Sequence, residues 1–181
     1  MKLGARIFGA LAGLLLLYLA VGLILPGSWE ARTQAHLDAL PETVFPYLSQ
    51  VREWTRWNQV PESGVETFGP GRGQGAGFRW DDPRYGQGEM RFLSSDPPRS
   101  LTYRVSVEEG DLVIHGTLTL GEQDGGTRLL WVEEGDFGWN PLLGYAARGM
   151  ADSQTRAMEE SLNALRALLS KGKGEEGLNP P

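Results

Sequence analysis

The chain predicts an α+β domain in which a curved antiparallel β-sheet wraps around a long C-terminal α-helix, preceded by one transmembrane helix. Three observations carry this expectation. Residues 7–25, IFGALAGLLLLYLAVGLIL, form an apolar run without a charge. From about residue 30 to 136, apolar and polar side chains alternate in short segments divided by Gly-, Pro- and Asp-containing turns. Beyond residue 140 the period changes from two to 3.6, and a single apolar stripe continues to Leu169.

The composition is that of one ordinary globular domain. Of 181 residues, 40% are hydrophobic and 22% charged, enough for a single core once an anchor and a tail are set aside. The chain has no cysteine, which excludes a disulfide scaffold, a thiol nucleophile and thiolate metal sites. Its two histidines, His36 and His115, stand in strand-like runs without the spacing of a zinc helix. No metal site and no cofactor is expected. The formal net charge is −6, and without a basic stripe this surface repels nucleic acid.

At 1.5 Å per residue, residues 7–25 reach about 28 Å as a helix, close to the thickness of a bilayer core. Lys2 and Arg6 precede the run. By the positive-inside rule the N-terminus stays in the cytoplasm and the rest lies on the periplasmic side of the cytoplasmic membrane. Trp29 is placed for the far interface. A cleaved signal peptide is the rival reading, but the run is long for one and GLILPGS lacks a small-x-small site. A buried core helix would need a polar face, and there is none.

The elements of the soluble part follow in order. Residues 30–39 alternate as a first strand. Residues 40–50, LPETVFPYLSQ, form a short helix; Pro41 suits its first turn and Pro46 predicts a kink or a late start. VREWTRWNQ is a second helical turn. Strands are expected at 64–68, from Phe78, at 86–95, 101–109, 110–122 and 127–136, paired as consecutive hairpins. The glycine-rich GPGRGQGAG, 69–77, fits no phosphate-loop pattern and reads as a mobile strand–strand loop able to gate a pocket. Asn140 and Pro141 cap the long helix, whose stripe is Leu143, Ala147, Met150, Gln154, Met158, Ser161, Leu165 and Leu169. Gly144 and Gly149 interrupt it, for close packing or for room above a ligand. Residues 171–181 form a polar tail, expected to be disordered.

One amphipathic helix cannot bury its stripe alone, and the sheet is its available partner. In order and spacing, ALPETVFPYLSQVREWTRWNQ, GPGRGQGAGFRW, GQGEMRFLSSDPPRSLTYRV, GGTRLLWVEEGDFGWNPL and the final helix resemble the START-like, or SRPBCC, superfamily in its polyketide cyclase/dehydrase-like branch. Bacterial members with an N-terminal membrane segment are similar in outline. The resemblance covers residues 28–170 and departs at Pro46. It implies a helix-grip fold with a cavity between sheet and helix, and binding of lipids or other hydrophobic molecules. It implies no single reaction.

Alternation sorts the side chains that would face such a cavity. Phe78 and Trp80, Met90 and Phe92, Tyr103, Ile114 and Trp131 point toward the helix, which offers Met150 and Gln154. These residues, with Trp57, are the candidate ligand-binding set; a filled core is the alternative for most of them. Glu133 shares a face with Leu129 and Trp131. It either points inward, as the best candidate general acid/base, or lies at the strand end in water beside Glu134 and Asp136. Trp54 and Trp57 are expected to pack over the end of the barrel, with ligand contact at the rim as the second reading. His36 and His115 fall on outward sets. The residues favour a membrane-anchored binding module for a lipid or hydrophobic small molecule. The alternative is a cyclase, dehydrase or hydrolase using Glu133, Tyr103 or His115 as acid/base, against which stands the lack of a nucleophile–base pair or metal set; a filled core would instead indicate a protein-interaction domain.

Overall fold

A computed structural model of the protein describes residues 2–61, 63–110, 112–138 and 143–176. The apolar run is a continuous helix, α1 (Lys2–Ile24), ended by Pro26 and Gly27. Strand β1 (Ser28–Leu37) follows with strictly alternating burial. Trp29 falls on its inward face and is buried, so it is not the interfacial residue that the sequence suggested. Helix α2 (Pro41–Ser49) starts at Pro41 and runs through Pro46 without the expected late start. The one bond that Pro46 cannot donate is to the carbonyl of Glu42, an exposed residue in the first turn of the helix. Gln50, in extended conformation, separates α2 from α3 (Val51–Trp57).

Strands β2 (Glu66–Phe68), β3 (Gly77–Asp82), β4 (Gly86–Asp96), β5 (Ser100–Val107), β6 (Leu112–Gln123) and β7 (Gly126–Asp136) form the expected meander. Strand β1 pairs along its length with β7, giving one antiparallel sheet in the order β1-β7-β6-β5-β4-β3-β2. The β4–β5 register slips between Phe92 and Ser94, a bulge at Leu93 that bends the sheet. Strand β5 stops at Val107, short of the expected 109, because Glu108–Gly110 form a 3₁₀ turn with Glu108 at φ 48°.

The glycine-rich loop is not a free gate. Val51 N–H donates to Gly71 O at 3.0 Å, Gly73 N–H to Ser49 O at 2.8 Å, and Gly75 N–H to Phe92 O at 2.9 Å. Gly69, Gly71, Gly73 and Gly75 all have positive φ, the conformations that let the loop fold back onto the α2–α3 junction. The glycines serve backbone docking.

Helix α4 (Leu143–Glu176) extends beyond the expected end, taking in the first part of the presumed tail. The cap expected at Asn140 and Pro141, and residues 177–181, lie outside the described residues. Ala147, Met158, Ser161, Leu165 and Leu169 are buried as the stripe predicts. The helix packs over β1, and near its C-terminal half Arg166 Nε donates to His36 O at 3.3 Å. This is the helix-grip arrangement.

Register divides the inward face of the sheet into rows that cross the strands. Leu101, Leu118, Trp131 and Thr33 form one row. Phe92, Tyr103, Gly116, Glu133 and Ala31 form the next. Then come Phe78, Met90, Val105, Ile114, Gly135 and Trp29, and finally Trp80, Gly88, Val107 and Leu112. The last row lies at the end of the sheet where β1 begins and β7 stops. We refer to that end as the open end, and to the end carrying α2 as the closed end.

Candidate functional site

The closed half of the grip is solid. Trp54, on α3, places its ring 5.5 Å from Phe92, 5.0 Å from Tyr103 and 6.2 Å from Trp131, each edge-on. Trp57 packs edge-on 4.9 Å from Trp54 and 5.7 Å from Trp131, and its indole N–H donates to Tyr47 O at 2.9 Å. These edge-to-face contacts favour a fixed aromatic plug. The pair of tryptophans therefore packs as core, and Trp57 does not reach the cavity.

Above this plug lies a cavity of about 260 Å³. Phe78, Trp80, Met90, Tyr103, Ile114, Glu133 and Gln154, singled out from sequence, line it. Trp57, Phe92, Trp131 and Met150 do not; the first three are locked into the plug one layer deeper, and Met150 packs against the core from nearer the start of α4. Sequence reasoning missed several walls. Val105, Val107, Ala157 and Met158 were legible, being on inward faces of β5 and α4. Trp54, expected first to pack and only second to touch a ligand at the rim, does both, closing the plug and flooring the space. Asn58 to Pro61 and Tyr85 come from connections, where no period identifies a face.

Three inward glycines carry flat rings, and two of those rings, Tyr103 and Trp80, wall the cavity. Gly116, Gly135 and Gly88 are each covered by an aromatic ring from the neighbouring strand, Tyr103, Trp29 and Trp80 respectively. A Cβ at Gly116 would overlap the Tyr103 ring. With that position empty, Tyr103 on β5 lies flat across β6 and its hydroxyl reaches Glu133 on β7.

The result is a buried polar chain in an otherwise apolar wall. Trp131 Nε1 donates to Tyr103 Oη at 2.8 Å. The Tyr103 hydroxyl donates to Glu133 Oε1 in a short contact, and Gln154 Nε2 donates to Glu133 Oε2 at 2.5 Å. Glu133 is only 4% exposed, which overturns the solvated placement at the strand end. Its row position, opposite Gly116 and under the α4 helix, decides this. Burial raises its carboxyl above the usual glutamate range, although the bonds from Tyr103 and Gln154 favour the charged form. Burial, and then the charge of Glu133, push the Tyr103 phenol well above its ordinary value. A carboxyl so placed can give or take a proton, or bind one polar group of a molecule whose remainder is apolar. His36 and His115 are exposed on the outer face, as alternation predicts. Among the described residues no His/Asp/Glu cluster could hold a metal ion.

A sequence profile described as "Polyketide cyclase / dehydrase and lipid transport" matches residues 28–170. No curated protein matches the chain. Solved structures show the same fold. Protein MLL2253 from Mesorhizobium loti has a TM-score of 0.57 at 20% identity, over 78% of this chain and 97% of its own. A protein from Rhizobium leguminosarum gives 0.58 at 16% identity, over 80% and 95%. DynU16, from the dynemicin biosynthetic locus, gives 0.56 at 15% identity, over 79% of this chain and 48% of its own. At these identities the likeness concerns the fold.

Proposed function

From the premise that the chain belongs to the polyketide cyclase/dehydrase and lipid transport family, we propose that its domain binds a small hydrophobic molecule in the cavity and recognises one polar group of that molecule through Glu133, Gln154 and Tyr103. The carrying observation is a buried carboxyl set in a wall of Phe78, Trp80, Met90, Val105 and Ile114. Binding sites of this kind are mostly apolar with a few convergent polar groups. The volume stands near the lower limit of ligand cavities, about 300 Å³, which favours a single chain or a ring compound over a two-chain phospholipid.

The helix α1 acts as a membrane anchor in this reading. Residues Ile7–Ile24 are long and apolar enough to cross a bilayer, and Phe8, Leu16 and Ile24 are 76%, 67% and 83% exposed. So much uncovered apolar surface calls for lipid around it. The preceding Lys2 and Arg6 then set the domain on the extracytoplasmic side.

The test is native mass spectrometry of the full chain, released from membranes, with organic extraction of what it carries. A hydrophobic adduct of defined mass is expected, and Ala157→Phe, which fills the cavity from α4, should abolish it. A chain that arrives empty and takes up no hydrophobic compound would refute the reading. The buried Glu133 also supports a second reading, acid/base catalysis on the bound molecule. Comparing wild type with Glu133→Gln separates the two: a carrier's variant holds, if more weakly, a molecule of the same mass as the wild type, whereas an enzyme's variant accumulates an unconverted substrate of different mass.

A further inference from the structure

Helix α1 does not simply tether the domain; it is docked to it. Tyr145, in the first turn of α4, stacks on Tyr18 of α1 with ring centroids 4.5 Å apart and planes 2° from parallel. Its hydroxyl donates to Tyr18 O at 2.8 Å. Gly144 packs on the same helix: a Cβ there would stand 2.8 Å from Leu25 Cβ and 3.2 Å from Gly22 O. Phe137 N–H, just beyond β7, donates to Gly27 O at 3.1 Å. The start of α4 is thus joined to the last turns of α1, and the chain leaving the sheet to the linker that follows them.

Two lengths turn this joint into an orientation. The linker of residues 25–27 can carry the domain no more than about 10 Å from the end of α1. Tyr18 lies about 9 Å before that end, at 1.5 Å per residue. A ring stacked on Tyr18 therefore lies alongside the exit half of α1, about 9 Å inside the end of the span, and brings the start of α4 down to the leaflet from which α1 emerges. The elements that meet α1 there are those of the open end, which supplies Trp80, Tyr85 and Val107 to the cavity wall. Along α4, Gln154 lies about 14 Å beyond Tyr145.

We propose that the Tyr18–Tyr145 joint holds the open end of the sheet against the surface of the bilayer that α1 crosses. The cavity then exchanges its contents with the membrane. This rests on the anchor reading of α1 and on the hydrophobic-ligand reading of the cavity.

The chain has no cysteine of its own, so single probes report cleanly. The full chain is placed in phosphatidylcholine/phosphatidylglycerol vesicles with a bimane on Arg84→Cys, an exposed position in the β3–β4 turn at the open end, or on Leu40→Cys, exposed at the closed end. Quenching by nitroxide-labelled phosphatidylcholine should be several-fold stronger at 84 than at 40. Tyr145→Ala, and independently Gly144→Leu, should bring the two positions toward equality. Equal quenching in a protein that floats with the vesicles overturns the orientation and leaves the anchor standing. A protein that does not float overturns both. The expected quenching in a protein that carries no hydrophobic compound supports the orientation and sinks the ligand reading alone.

Discussion

The two halves of one sheet, built by the same strands with the same alternation, end in opposite states. Toward the closed end the inward rows meet Trp54 and Trp57 and fill completely; Leu101, Leu118 and Trp131 are at most 1% exposed. Toward the open end, beyond the Tyr103–Gly116–Glu133 row, the same sheet encloses a hollow. Hydrophobicity does not separate the halves, since both are apolar. Glycine does: Gly116 and Gly88 fall in rows of the open half, and the rings that cover them, Tyr103 and Trp80, lie along the sheet and wall the hollow. A flat ring closes the wall without filling the space above it, and the cavity is what remains.

The largest expected effect tests the solid half. Trp54→Ala removes the centre of the plug and should cost about 3–5 kcal/mol in urea unfolding; a loss below about 1 kcal/mol would mean that the plug is not the mechanical core. Next is the boundary row. Gly116→Val drives Tyr103 off Glu133 and should cost about 1–3 kcal/mol by overpacking. The Tyr103→Leu/Gly116→Val pair should recover part of that loss, since the clashing ring is gone.

A subtler difference is set by proton linkage. Folded Glu133 titrates above its unfolded value, so the native state holds its proton more tightly. Stability from this group is complete below the unfolded value and is lost as pH rises through the folded one. Glu133→Gln removes that loss. In paired urea titrations the variant should gain on the wild type as pH rises above the ordinary glutamate value, and a constant difference would refute a carboxyl raised by burial. The smallest effect is expected on the outer face. His115→Ala, exposed and outside the cavity, should stay within about 0.5 kcal/mol and leave ligand content unchanged.

Much of this architecture was legible in the chain. Alternation along β5 and β6 put Tyr103 and Ile114 inside and His115 outside, and the helical stripe of α4 put Gln154 and Met158 over them. What alternation cannot supply is register. Only pairing places Gly116 beside Tyr103 and Glu133, and so decides that the ring crosses β6 and that the carboxyl is buried. Read along β7 alone, Glu133 has Glu134 and Asp136 for company and looks wet. The same limit explains Trp131 and Phe92, rightly turned inward but one layer too deep to touch the cavity. Trp29 misled in another way, because an aromatic just after an apolar run suits both a membrane interface and the second position of a strand. The connections that bring Asn58, Val60 and Tyr85 to the cavity carry no period at all.

The Tyr103 ring has a consequence for motion. It joins β5 to β7, strands that are not neighbours, by passing over the β6 strand between them. To open, β6 must break its ladders on both sides and also lift a ring anchored at each end. Backbone amides near residues 115–117 should therefore be among the last to exchange with deuterated solvent, and the segments flanking the cavity mouth, such as 58–61 and the turn at Tyr85, among the first.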